Sequence, residues 1–229
     1  MENRSVAIDG PAGAGKSTLA KMAAREFGLI YVDTGALYRC VGLFALQNGV
    51  GSRDAAGVEK LLSDITIEMR HDETGTQRML LNGVDVTDDI RTPEVSVYAS
   101  DVSAIPVVRE FLFSQQKEMA VKYDVIMDGR DIGTVVLPGA GLKIFLTASP
   151  EVRATRRYKE FIEKGVSTTY EDVLASVNER DYNDSHREIA PLKPSVESVI
   201  LDTSDIGLEE SFRKLCSVIR EKLQNDFRI

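Results

Sequence analysis

Tryptophan is absent from this chain of 229 residues, and cysteine and histidine occur only twice each. Two histidines leave little scope for histidine acid–base chemistry, and no serine–histidine–aspartate set can be assembled. Cys40 and Cys216 lie far apart and match no metal or redox spacing. Both fall in apolar helical patterns, so they read as buried thiols in a reducing compartment, hence a cytoplasmic protein. An apolar run long enough to cross a bilayer is also missing, so no membrane role is expected. The first apolar run is five residues, Ser5-Val6-Ala7-Ile8-Asp9, and leads straight into a glycine loop, unlike a signal peptide. Positive charge is in short supply: the net charge of −8 argues against broad nucleic-acid binding, which wants a basic face. Repeats, low-complexity tracts and linkers are not seen. The length suits one domain with an insertion and is ample for a sizeable core.

What is present starts with Gly10-Pro11-Ala12-Gly13-Ala14-Gly15-Lys16-Ser17, followed by Thr18. This fits the phosphate-loop spacing G-x-x-x-x-G-K-[ST]. Small residues keep side chains away, so backbone N–H groups can curl around a polyphosphate. Lys16 is expected to reach the β and γ phosphates and the Ser17 hydroxyl to ligate Mg²⁺. An apolar strand precedes the loop and a helix over Thr18–Phe27 follows it, so the helix N-terminus adds its partial positive charge to the site.

Leu29–Val32 reads as a second strand, and Asp33-Thr34-Gly35 as the start of a helix running from Ala36 to Gln47. Strand–helix–strand–helix at this pace implies parallel strands with crossover helices. A short helix over about 55–63 then leads to the alternating run Ile65–Arg70. A polar turn with Gly75, the run Arg78–Leu81 and the turn Asn82-Gly83 complete a hairpin-like stretch. His71 at its edge reads as a solvated loop residue, as does His186 beside Arg187. Two helices follow, to about Ala104 and from Pro106 to about Lys122. Asp124–Gly129, Leu142–Thr147 and Val199–Asp202 read as core strands, with helices over Glu151–Lys164, Tyr170 to about His186, and Leu208–Leu223.

In open α/β sheets, ligands bind beyond the carboxyl ends of the strands. Those ends offer the glycine loop, Asp33 with Thr34 and Arg39, and Asp128 with Arg130 and Asp131. A carboxylate at the position of Asp128 holds Mg²⁺ or a water on it. Phosphoryl transfer is mostly positioning and charge neutralisation, for which arginine forks are suited. Arg153, Arg156 and Arg157 share one helix face; the plainer reading is a solvated face, the functional one a lid that closes on ATP. Arg180, Asp184 and Arg187 share nearly one face of the next helix.

The segments Gly10–Thr18, Asp33–Arg39, Ile90–Val95, Asp128–Val136 and Glu179–Leu192 resemble bacterial cytidylate kinases, in order and over nearly the whole chain. The resemblance implies an α/β phosphate-loop fold with a five-stranded parallel sheet flanked by helices, a small antiparallel insertion and a helical lid. The core is then expected at 1–59 and 93–229, with the lid at about 150–190 and a nucleoside-monophosphate-binding insertion at 60–92. The implied reaction moves the γ-phosphoryl group of ATP to CMP or dCMP with Mg²⁺, in a monomer. Thr34, Arg109, Asp131 and Arg187 match positions that read cytosine. Arg39 and Arg130 match positions that hold the acceptor phosphate, and Ser100, Arg180 and Asp184 positions around the sugar. Lys16, Arg130, Arg153 and Arg157 are the expected catalytic cations. Thr34 stands where some relatives have serine, and Asn183 where some have a charged residue. A shikimate-type kinase and a GTP-binding switch are the rivals. The 60–92 insertion argues against the first, and the lack of an Asn/Thr-Lys-x-Asp segment against the second.

Overall fold

The computed structural model of the protein describes residues 4–73 and 76–226. Gly75, expected in the polar turn, lies outside the described residues. The chain falls into two compact units, Met1–Leu29 with Asp124–Ile229, and Ile30–Tyr123. In chain order the elements are β1 (Ser5–Asp9), α1 (Lys16–Phe27), β2 (Ile30–Asp33), α2 (Thr34–Gln47), α3 (Ala55–Leu61), β3 (Ile67–His71), β4 (Gln77–Leu81) and β5 (Val84–Asp85). Then come α4 (Pro93–Val102), α5 (Pro106–Lys122), β6 (Val125–Gly129), β7 (Leu142–Thr147), α6 (Pro150–Glu163), α7 (Tyr170–His186), β8 (Val199–Asp202) and α8 (Leu208–Asp226).

The large sheet has five strands in the order β2-β6-β1-β7-β8. β1 is central, pairing in parallel with β6 and with β7, and β8 runs parallel to β7. A parallel sheet covered on both faces wants near-continuous apolar strands. Val6, Ala7, Ile8, Val125, Ile126 and Met127 meet that demand and are fully buried. The register sets Ile8 beside Asp128 and Asp9 beside Gly129, which brings both strand ends to one level.

α1 starts inside the glycine loop, two residues before the expected Thr18. Gly15 takes a left-handed conformation as its N-cap, and no side chain caps it. Its first N–H groups are therefore left to the loop. α2 begins at Thr34, within the Asp33-Thr34-Gly35 start expected, and the Asp33 carboxylate caps it by accepting the Ala36 N–H at 3.0 Å.

The second unit holds the antiparallel sheet β3-β4-β5. Leu81 pairs with Val84 across Asn82-Gly83, whose φ values are 50° and 80°. Two positive φ values in a two-residue loop make the turn whose twist suits a hairpin. β3 runs from Ile67, not Ile65, and extends to His71, which pairs with Gln77. His71 is thus not the solvated loop residue expected: it is half-buried with Nε2 3.1 Å from the Tyr31 carbonyl oxygen. His186 is exposed and stacks on Tyr182 at 4.1 Å. Val41, Val58, Met79, Leu81, Ile90 and Leu112 share one core. The strands within 60–92 are therefore packed with α2, α4 and α5, and the compact unit is wider than that segment. Both cysteines are buried thiols. Among the described residues, no helix is long and apolar enough to cross a membrane.

Candidate active site

The phosphate loop leaves β1 through Gly10, whose φ is 150° and where a Cβ would stand 1.9 Å from the Leu146 carbonyl oxygen. Only glycine fits a backbone that close. Gly13 and Gly15 also have positive φ, at 78° and 93°. Lys16 is buried and donates from Nζ to the Pro11 carbonyl at 2.8 Å, so it folds back across its own loop. Burial, helped by the nearby Arg130 guanidinium, pulls its proton affinity down to about 7. The Ser17 hydroxyl donates to Asp128 at 3.1 Å, which joins the loop to the end of β6.

Past β6 the chain makes a tight turn. Arg130 donates from Nε to Asp184 at 2.7 Å, and Arg187 donates to Asp131 at 3.3 Å. These two crossed pairs knit the β6 turn to the end of α7. Burial works against both charges of the first pair. Asp184 nevertheless holds the Arg130 proton more tightly than usual, and Arg130 and Arg180 hold the Asp184 carboxyl below the ordinary range. Arg187 is not on the helix face expected. It is the residue just past α7, in extended backbone, with Nε donating to the Ala190 carbonyl at 2.7 Å. The turn continues as a π-type helix, Ile132–Val136, closed by Leu137 N–H to Ile132 at 2.7 Å. Such wide turns recur at functional sites.

The arginine helix is not a solvated face. Arg153 is 2% exposed. It donates to Ala148 O at 2.8 Å, to Ala12 O of the phosphate loop at 3.1 Å, and in a fork to Asp181 at 2.9 and 2.5 Å. Arg156 donates to the Thr203 carbonyl at 2.9 Å, and Arg157 lies 5.2 Å from the centre of the Phe161 ring.

In the second unit, Arg39 donates to the Ile90 carbonyl at 2.9 Å and to the Ser96 hydroxyl at 2.7 Å. Arg91 pairs with Asp33 at 2.7 Å. Thr34 and Arg109 are buried, and the Arg109 guanidinium stands 6.0 Å from the Tyr38 ring centre. The Ser100 carbonyl accepts from Ser103 at 2.7 Å. Asp9, Asp181, Ser96 and Tyr38 went unassigned on sequence alone. Asp9 had a visible signal, an acid closing an apolar strand directly before the glycine loop; Asp181 had none beyond its place beside Arg180.

A parallel sheet of this order, a glycine loop opening its first helix, and cations ringed around that loop's lysine define a phosphate-loop phosphotransferase. The profile of the family described as Cytidylate kinase matches residues 6–221. The chain belongs to the cytidylate kinase family. It is 48% identical over 220 residues to the cytidylate kinase of Lactobacillus johnsonii, covering 96% of this chain and 95% of the other. It is 46% identical over 226 residues to that of Caldicellulosiruptor bescii, covering 99% and 100%. The fold is also shared with a gluconokinase structure from Sinorhizobium meliloti, with a TM-score of 0.50 at 17% identity, covering 99% of this chain and 98% of that one. The family match sets aside the shikimate-type and switch readings.

Proposed function

We propose that the protein transfers the γ-phosphoryl group of ATP to the phosphate of CMP or dCMP. The observation that carries this reading is the convergence at Lys16: Arg130, Arg180 and Asp184 all stand close enough to act on its proton affinity. A triphosphate in the loop would meet backbone N–H groups and Lys16, and the acceptor's anion would meet Arg130. The acceptor phosphate is already an anion, so no general base is needed; the protein's work is alignment and charge stabilisation.

Ser17 and Asp128 fit Mg²⁺. Both offer hard oxygen ligands, and among the described residues no cluster of three or more His, Cys, Asp or Glu is present to form a full cage. Mg²⁺ keeps several waters and takes few protein ligands beside substrate phosphates. Ser17 would bind the ion directly and Asp128 through a water. The ion would supply neutralisation of the triphosphate's charge.

The remaining roles follow the family resemblance. Asp131 accepts the cytosine amino group, which uracil lacks. Thr34, Arg109 and Arg187 serve the base, Arg39 with Arg130 the acceptor phosphate, and Ser100, Arg180 and Asp184 the sugar. Gly10–Thr18 bind the donor nucleotide. Arg153 has its guanidinium engaged by the loop and by Asp181, so we assign it to holding the loop against α7. Of the three arginines on that helix, Arg157 is the one we assign to the moving group. An ADP-release assay across the nucleoside monophosphates tests this. Turnover with CMP and dCMP should exceed that with UMP, AMP and GMP by tenfold or more; equal rates with all five would overturn it.

A further inference from the structure

One buried acid stands outside every role given above. Asp9 closes β1 and is 3% exposed. Its Oδ1 accepts the Ile132 N–H at 2.7 Å and its Oδ2 the Gly133 N–H at 2.8 Å. Those two amides immediately follow Arg130 and Asp131. On its other side, Asp9 is bonded to Gly10, whose path is fixed by the approach to Leu146. The strand register adds a third restraint, since Asp9 lies beside Gly129. One side chain thus grips, across 123 residues of sequence, the turn that follows it in space.

The fit is close from the far side too. A Cβ on Gly133 would come 3.3 Å from Asp9 Oδ2 and 3.2 Å from Lys143 Cγ. A side chain there would press on the carboxylate and on Lys143, so glycine leaves the contact unstrained. Asp131 sits with φ −144° and ψ 27°, outside the usual strand and helix basins, directly before the gripped amides. Asp9 also carries a cost. Burial raises its pKa to about 6 even though the Gly133 and Ile132 N–H groups favour the ionised form; Asp131 adds a smaller push upward and Lys16 a smaller one downward. At neutral pH it is ionised, and an ionised carboxylate accepts from two N–H groups more strongly than a protonated one.

We propose that Asp9 is a positioning residue that sets the acceptor-recognition turn, holding Arg130 and Asp131 in place for the nucleoside monophosphate while leaving donor binding untouched. This rests on the reading of Arg130 and Asp131 as acceptor contacts. Asp9 itself touches no substrate.

The test is Asp9→Asn, which keeps the shape and removes the buried charge but turns one acceptor into a donor facing an N–H. KM for CMP should rise at least tenfold and the preference for CMP over UMP should fall at least tenfold, with KM for ATP within about twofold and the melting temperature not lowered by more than a few degrees. Exchange of the Ile132 and Gly133 amides, read by NMR, should quicken at least tenfold. Gly133→Ala, which pushes on the same contact from the turn side, should give the same split and covers the case in which Asp9→Asn does not fold. Unchanged acceptor KM and selectivity overturn the proposal, as does an equal loss for ATP and CMP accompanied by a fallen melting temperature. If the wild type shows no CMP-dependent ADP release, the functional reading fails instead. The amide exchange then still decides whether Asp9 holds the turn.

Discussion

Two parts of the candidate site are built from opposite materials. The phosphate loop, Gly10–Ser17, is one contiguous stretch of backbone shaped by three glycines at positive φ. The β6 turn and the end of α7 are 54 to 56 residues apart and are joined by side-chain pairs, Arg130 with Asp184 and Arg187 with Asp131. A backbone cradle tolerates change in side chains but none in space. A side-chain cluster tolerates small shifts in backbone but not the loss of one partner, since a buried charge is then left uncompensated. Each kind of construction has its own way of failing.

Removing the one cationic side chain of the cradle should have the largest effect. Lys16→Met is expected to lower kcat by about 10³-fold with the fold intact, measured by steady-state ADP release. Turnover within threefold of wild type would contradict the role given to Lys16. Gly10→Ala attacks the cradle in space. With a Cβ 1.9 Å from the Leu146 carbonyl oxygen, it should cost about 3 kcal/mol in urea unfolding. A stability equal to wild type would show that the loop relaxes freely. On the side-chain half, Asp131→Asn should reduce discrimination between CMP and UMP by about 10- to 100-fold, because the amide can face either a donor or an acceptor. A kcat/KM ratio unchanged between the two substrates would remove Asp131 from base reading.

The smallest effect is in protons. Folded Lys16 titrates near 7, against 10.5 as the ordinary value. Below about 7 the folded protein carries a buried ammonium at full cost. Between about 7 and 10.5 it has shed a proton that the unfolded chain keeps, so this group makes stability rise with pH across that window. Triphosphate binding should restore the proton. Calorimetry in buffers of different ionisation enthalpy should show uptake of about one proton per ATP at pH 8, absent in Lys16→Met. No uptake in the wild type would mean the lysine is charged before ATP arrives.

The same contrast explains what was legible in the sequence. The cradle was readable because its demands are local: small residues, a lysine, a hydroxyl and flanking apolar and helical runs. The Asn82-Gly83 hairpin was readable for the same reason. The ends of elements were less so, since α1 opens inside the loop at Lys16 and a ladder pair with Gln77 draws His71 into β3. The wide turn at Ile132–Val136 follows from hydrogen bonds five residues apart and from a grip by Asp9, neither of which has a periodicity to detect. For Arg153, expected as a lid cation, helical spacing gave a face but not what covers it. Here Asp181 and the loop carbonyl of Ala12 cover it. Arg130 and Asp131 stood out by their place after a strand and Arg187 by resemblance; that Arg130 pairs with Asp184 and Arg187 with Asp131 emerged only with the fold.

The account stands on a single transfer event that joins the cradle to the cluster. With γ-³²P-labelled ATP and CMP, product analysis should place the label on the β phosphate of CDP, with little label released as inorganic phosphate. Label that appears chiefly as inorganic phosphate, at a rate indifferent to CMP, would contradict it.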